Sequence, residues 1–281
     1  MDSFRELEAV AERCFLKLLG VYNLQPKPTD DPALTKLGEQ LKIKFITDDS
    51  LDCDDFKYDA PSKSQLAGVI DPIVFELQLY PHDALHKTRI EQVVLCTNLL
   101  VSDKRAGGTL KVGLHYVDTL FINLSGFAAS NRFGARTLHH ELYHAIDFRD
   151  SFEGYVDTEW SKLQGQEFQY ELDQAANSYR YRGYNPQEVK KPEFADPFDW
   201  LHSKKSDTPG FITEYAKYNV TEDKAELFSF LMMNYKEVMS RTEHDQILKH
   251  KVEHMKTALN SFSRSLDDAF WERIAHTNRD A

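Results

Sequence analysis

A chain of 281 residues with 41% hydrophobic and 28% charged side chains is a globular protein long enough for one large core. Its net charge of −11 argues against nucleic acid or an anionic membrane as the main partner. The three cysteines, Cys14, Cys53 and Cys96, have no CxxC spacing and fit neither a disulfide framework nor a cysteine zinc finger.

The amino terminus, Met1-Asp2-Ser3-Phe4-Arg5-Glu6, alternates charges and lacks the apolar stretch of a Sec-type signal. No run approaches the roughly 18 apolar residues of a membrane span. The expected location is the cytoplasm, or outside it by export without a cleaved signal. Phe4, Leu7, Val10, Cys14 and Leu18 recur at helical spacing and predict a helix over 3–20, stopped by Gly20. A second short helix is expected over 32–42. The acidic run 48–55 lacks the glycine and terminal glutamate of a calcium loop and reads as solvated. Residues 73–80 read as a strand, Pro81 then opens a helix with Asp83 in its first turn, and 93–101 is a second strand. Gly107-Gly108 reads as a turn, and 119–124 as a third strand. Residues 131–148 form a helix with Ala135, Leu138, Leu142, Ala145 and Ile146 as its apolar stripe. Residues 151–212 are rich in Gly and Pro and mostly irregular, with one short helix; Trp160, Phe168, Tyr170 and Trp200 need somewhere to pack there. Helical spacing returns over 221–239, and 243–276 forms one or two closing helices.

The helix over 131–148 carries His140-Glu141-Leu142-Tyr143-His144, an HExxH motif. Residues four apart share a helix face, so His140 and His144 can direct ring nitrogens at one Zn²⁺, with Glu141 beside them as general base. His139 sits about 100° round the helix and is expected to pack. A catalytic zinc needs a third protein ligand. Asp150 stands where a metzincin has its third histidine, so that pattern is absent. Glu222 and Glu226 share a face on the helix that Thr221 is expected to cap; one can bind zinc while the other holds a ligating histidine. His250 and His254 also share a face, but read as a solvated one.

These residues resemble a known family. His140-Glu141-Leu142-Tyr143-His144-Ala145-Ile146-Asp147 is similar to the HExxHAxD of gluzincin zinc metallopeptidases related to anthrax lethal factor and the Pro-Pro endopeptidases. Tyr215 precedes Glu222 by the seven residues seen in those proteins, and Glu226 follows at their spacing. Ala106-Gly107-Gly108-Thr109 and the stretch from Trp160 also look like bacterial members. The resemblance covers residues 72–235, and departs at Thr221 and Lys224. It implies that His140, His144 and Glu222 hold one zinc per chain. It implies Tyr215, favoured over Tyr218 by spacing, as transition-state hydrogen-bond donor. Glu226 would support the ligands from behind, and Asp147 is expected to bond near the helix end and orient a histidine.

The expected fold is therefore α+β and zincin-like: a mixed, twisted sheet over the HExxH helix, then a mainly helical C-terminal half. Strand 119–124 is expected at the sheet edge, where an extended peptide could pair with it. Residues 1–60 are expected as a helical and extended segment packed on the core, and 61–281 as one compact unit. The expected function is zinc-dependent endopeptidase on protein or peptide substrates, with no nucleic acid or membrane partner. The alternative is a silent peptidase-like zinc protein that binds peptides without cleaving them.

Overall fold

The computed structural model describes residues 27–49, 51, 56–101, 104–112, 117–150, 157–165, 168, 170 and 205–278. The helix expected over 3–20, Cys14, Cys53 and Trp200 lie outside these residues. In chain order the elements are α1 (Pro32–Leu41), β1 (Lys44–Ile46), β2 (Phe56–Asp59), α2 (Lys63–Ala67), α3 (Ile70–Gln78), α4 (His82–Thr88), β3 (Gln92–Val101), β4 (Lys104–Arg105), β5 (Gly108–Val112) and β6 (Val117–Asn123). Then come α5 (Ser125–Ala129), α6 (Asn131–Asp150), α7 (Thr158–Leu163), a 3₁₀ turn (Tyr215–Lys217), α8 (Val220–Thr242), α9 (Gln246–Phe262) and α10 (Asp268–Ala275). The fold is α+β with a mixed sheet. None of the described helices is long and apolar enough to cross a membrane.

The main sheet runs in the order β1-β3-β6-β5. β3 pairs in parallel with β1 and β6, and β5 closes the edge antiparallel to β6. The outer half of β3, Thr97 to Val101, pairs antiparallel with β2 and β4. Side chains alternate between faces, as the period of two requires. Val93, Leu95, Leu120 and Ile122 enter the large core shared with the helices. Val94, Cys96 and Phe121 point the other way, where Phe56 and Tyr58 each meet the Phe121 ring edge-on at 5.4 Å.

The structure corrects four expectations. Residues 73–80 belong largely to helix α3, because Ile70, Ile73 and Leu77 are buried at helical spacing, and the alternation at the end of the run belongs to its last turn. Strand 119–124 is β6, one position in from the edge; the edge is β5. Gly108 opens β5 and is not a turn residue, and only Gly107 bends. The cap of α8 is Asn219, whose Oδ1 accepts from the Glu222 backbone N–H at 2.8 Å and from the Thr221 hydroxyl at 2.7 Å. The remaining expected helices stand: α1, α4 with Pro81 before it and Asp83 in its first turn, α6, and α9 with α10 at the close.

Candidate metal centre

Helix α6 is laid against the core by its apolar stripe, with Ala135, Leu138, Leu142, Ala145 and Ile146 all buried. Tyr143 adds a ring contact to Phe228 of α8 at 5.0 Å. On another face of α6, buried His139 bonds Glu76 through Nε2 at 2.9 Å and the Tyr80 hydroxyl through Nδ1 at 2.6 Å. His139 thus fastens α6 to α3 and its exit turn, a packing role, and leaves the next residue to face α8.

That next residue is His140. Its Nε2 lies 3.0 Å from His144 Nε2 and 3.0 Å from Glu222 Oε2, and the latter is 3.4 Å from His144 Nε2. All three ligand atoms lie within 4.8 Å of one another. On the far side of the ring, His140 Nδ1 meets Glu226 Oε1 at 3.0 Å. A carboxylate there requires Nδ1 to carry a proton, which leaves Nε2 as the ring nitrogen turned inward to the other two ligand atoms. Glu226 is itself held, since its Oε2 accepts from the Thr213 hydroxyl at 2.8 Å. Thr213 Oγ1 also accepts from the Ala216 N–H at 3.2 Å, within the 3₁₀ turn that carries Tyr215.

The electrostatics say what this cluster wants. Burial would push His140 down, but hydrogen bonds to Glu222 and Glu226 carry it up to about 10. Burial opposes ionisation of Glu222, yet the His144 and His140 imidazoles hold its carboxyl well below the usual range. Glu226, also buried, is drawn down by Arg136, His140 and Thr213. Two carboxylates and two imidazoles therefore share a space that favours positive charge, whether a proton or a cation supplies it. One nitrogen pair and one carboxylate oxygen form the donor set of a zinc-type centre, so the residues fit the ion. Partial exposure of His144 and Glu222, 19% and 17% of their side chains, leaves one side of the cluster open to solvent.

Glu141 is outside the converging trio but beside it, 8% exposed. Burial raises its pKa, the His140 and His144 charges pull it back, and Glu222 raises it again. Tyr215 places its ring 6.3 Å from the His140 ring. Its hydroxyl is hydrogen-bonded to Glu222, and its pKa is driven well above the ordinary tyrosine value, first by burial and then by Glu222, Glu226 and Glu141. Asp147 bonds Lys224 Nζ at 2.5 Å, and the same ammonium reaches Asp157 at 3.2 Å. Burial raises Asp147, and Lys224 and then His144 lower it.

The sequence reading missed several residues that hold this arrangement. Asn219 stands three residues before Glu222 and carries the signature of an N-cap with an acidic third position. Lys224, seen only as a departure from the family pattern, is a buried tie between α8 and α6. Asp223 accepts from Trp160 Nε1, the Tyr170 hydroxyl and Lys251 Nζ, each at 2.7 Å. Trp160 and Tyr170 are buried as expected, and Phe168 meets Phe211 at 4.7 Å. His254, expected on a solvated face, packs edge-on against Trp160 at 5.9 Å, while His250 is exposed.

No curated protein sequence matches the chain. A solved structure from Bacteroides caccae, described as "a putative zinc-binding metallo-peptidase", is similar at 13% identity with a TM-score of 0.47. That likeness covers 90% of this chain and 98% of the other. The family described as "Putative zinc-binding metallo-peptidase" matches residues 97–266, a span that contains His140, Glu141, His144, Tyr215, Glu222 and Glu226, and the chain belongs to this family.

Proposed function

We propose that the protein is a zinc-dependent endopeptidase of the gluzincin type, with a zincin-like site resembling those of anthrax lethal factor and the Pro-Pro endopeptidases. The observation that carries this reading is the convergence of His140 Nε2, His144 Nε2 and Glu222 Oε2 within 4.8 Å. His140, His144 and Glu222 would hold one zinc per chain, and Glu226 would fix the His140 ring from behind. A bound zinc would supply Lewis acidity to the scissile carbonyl and lower the pKa of a water. Glu141 takes the proton of the attacking water and delivers it to the leaving amine nitrogen. Its burial suits the first half of this task, because a carboxylate of raised pKa is a stronger base toward the attacking water. Tyr215 keeps its proton and donates a hydrogen bond to the substrate oxygen that gains charge in the transition state. Asp147 and Lys224 hold α6 to α8 so that the histidines and the carboxylate stay in register.

The test is elemental analysis combined with cleavage of a mixed peptide library. His140→Ala, His144→Ala and Glu222→Ala are each expected to lose zinc. Glu141→Gln is expected to keep one zinc and lose hydrolysis by two or more orders of magnitude, the range of a general base. Retention of full zinc by Glu222→Ala, with loss in Glu226→Ala, would exchange the roles of the two glutamates. A zinc-loaded wild-type protein that binds peptides and cleaves none would make it a peptide-binding module.

A further inference from the structure

We propose that Gly108 is the positioning residue that fixes where the Glu141 carboxylate rests. The kinetic consequence depends on the peptidase reading above; the steric basis does not. Gly108 opens the edge strand β5, and a Cβ built on it would lie 2.5 Å from Glu141 Cγ and 3.1 Å from Glu141 Cδ. Carbon atoms in favourable contact sit about 3.5–4.0 Å apart, so any side chain at 108 must displace either the glutamate or the strand. Backbone conformation is not what calls for glycine here. The described glycines with positive φ are Gly165 and Gly210.

The strand has little room to yield. The same Cβ would lie 2.9 Å from the carbonyl oxygen of Phe121, on the partner strand β6. The residues before Gly108 are held as well. Asn123 Nδ2 donates to the Ala106 carbonyl at 2.9 Å, and the Asn123 backbone N–H donates to the Gly107 carbonyl at 2.8 Å. The Ala106 N–H donates in turn to the Leu99 carbonyl at 3.0 Å. Asn123 is buried, at the end of β6. The stem of Glu141 is therefore closed in by helix α6 on one side and by the bare backbone of β5 on the other. A flexible three-torsion side chain becomes a pre-set one when its stem is walled in this way. The wall works only because residue 108 has no side chain.

The test is a double-mutant cycle read on both stability and turnover. Thermal unfolding is measured on zinc-free wild type, Gly108→Ala, Glu141→Ala and the double variant. Gly108→Ala is expected to lower the midpoint by several degrees, and by less than half as much on top of Glu141→Ala, which removes Cγ and Cδ and leaves only the Phe121 carbonyl in the way. An equal drop in both backgrounds would overturn the inference. If Gly108→Ala alone does not fold, folding of the double variant supports the contact, and an unfolded double variant overturns it. In the zinc-loaded protein, Gly108→Ala is expected to cleave the peptide library roughly 10²-fold more slowly at unchanged zinc content, the cost of a misplacement of about 1 Å. Added to Glu141→Gln, it should cost nothing more. A further loss of similar size there would mean that Gly108 acts through another group. Full turnover by Glu141→Gln alone would defeat the general-base reading, while the unfolding cycle would still decide whether Gly108 fixes Glu141.

Discussion

Tyr215 and Tyr218 stack with ring centroids 6.2 Å apart and planes 9° apart, and the two differ in exposure. Tyr218 is buried, 7% exposed. Tyr215 is partly exposed, and its hydroxyl reaches Glu222. Tyr215→Phe removes only that hydroxyl, so zinc content and stability should barely change, while kcat falls roughly ten- to a thousandfold, the range for one oxyanion donor, with little change in KM. Tyr218→Phe should be close to neutral in the same kinetic assay. Equal rates for Tyr215→Phe and wild type would remove Tyr215 from the site. At this scale the sequence was informative wherever function depends on spacing along one helix. His140 and His144 are four apart, as are Glu222 and Glu226, and each pair shares a face. It was silent where function depends on contact between distant segments. Nothing in the local pattern says that Gly108 must be bare because Glu141 lies above it, or that Thr213 is needed to hold Glu226.

Helix α8 shows why the first turn of the carboxylate helix is so polar and yet so buried. Successive residues on a helix step by about 100°, so a short stretch of its first turns can address different neighbours in different directions. Glu222 turns to the histidines, Asp223 to Trp160, Tyr170 and Lys251, Lys224 to Asp147 and Asp157, and Glu226 to His140 and Thr213. The rotation of the helix is thereby fixed from several sides. Lys251 is fully buried on α9, where burial pushes its pKa down and Asp223 pulls it back; its Nζ also donates to the Gly210 carbonyl at 3.0 Å and sits 4.0 Å over the Phe211 ring. Lys251→Met should destabilise the fold by about 3–5 kcal/mol in urea unfolding, because Asp223 is left buried without its cation. The double variant Lys251→Met with Asp223→Asn should recover a large part of that loss. A single-variant cost below about 1 kcal/mol would show that Asp223 needs no cation. The long helices α6 and α8 were legible because their apolar stripes outweigh every local ambiguity. α3 was not, since the alternation of Glu76-Leu77-Gln78-Leu79-Tyr80 mimics a strand when seen without the burial of Ile70 and Ile73. The edge strand β5 was hidden by Gly107-Gly108, which reads as a turn until β6 is there to pair with it.

On the scale of the whole molecule, the candidate metal centre joins the two halves of the core. His140 and His144 belong to α6, whose edge-strand neighbour is β5; Glu222 belongs to α8, which carries the packing of α9 and α10 through Phe228, Leu231 and Trp271. The described residues before 61 are tied to the same core. Leu34, Leu37 and Leu41 of α1 are buried in it, and β1 pairs with β3. The described residues, those within 27–60 with the rest, are therefore expected to unfold as one cooperative unit. An ion that binds only the folded state adds RT ln(1 + [L]/Kd), about 4.1 kcal/mol at a thousandfold excess over Kd. For a chain of this size each kcal/mol shifts Tm by roughly 2–4 °C, so saturating zinc should raise Tm by on the order of 10 °C. Calorimetry should show a single transition before and after chelation, moved downward by removal of the metal. His140→Ala and Glu222→Ala should not respond to added zinc, whereas Glu141→Gln, which leaves the three converging donors in place, should respond like wild type. Two transitions, with only one moved by zinc, would mean that the centre staples a smaller unit than the shared core of α1, β1, α6 and α8 requires.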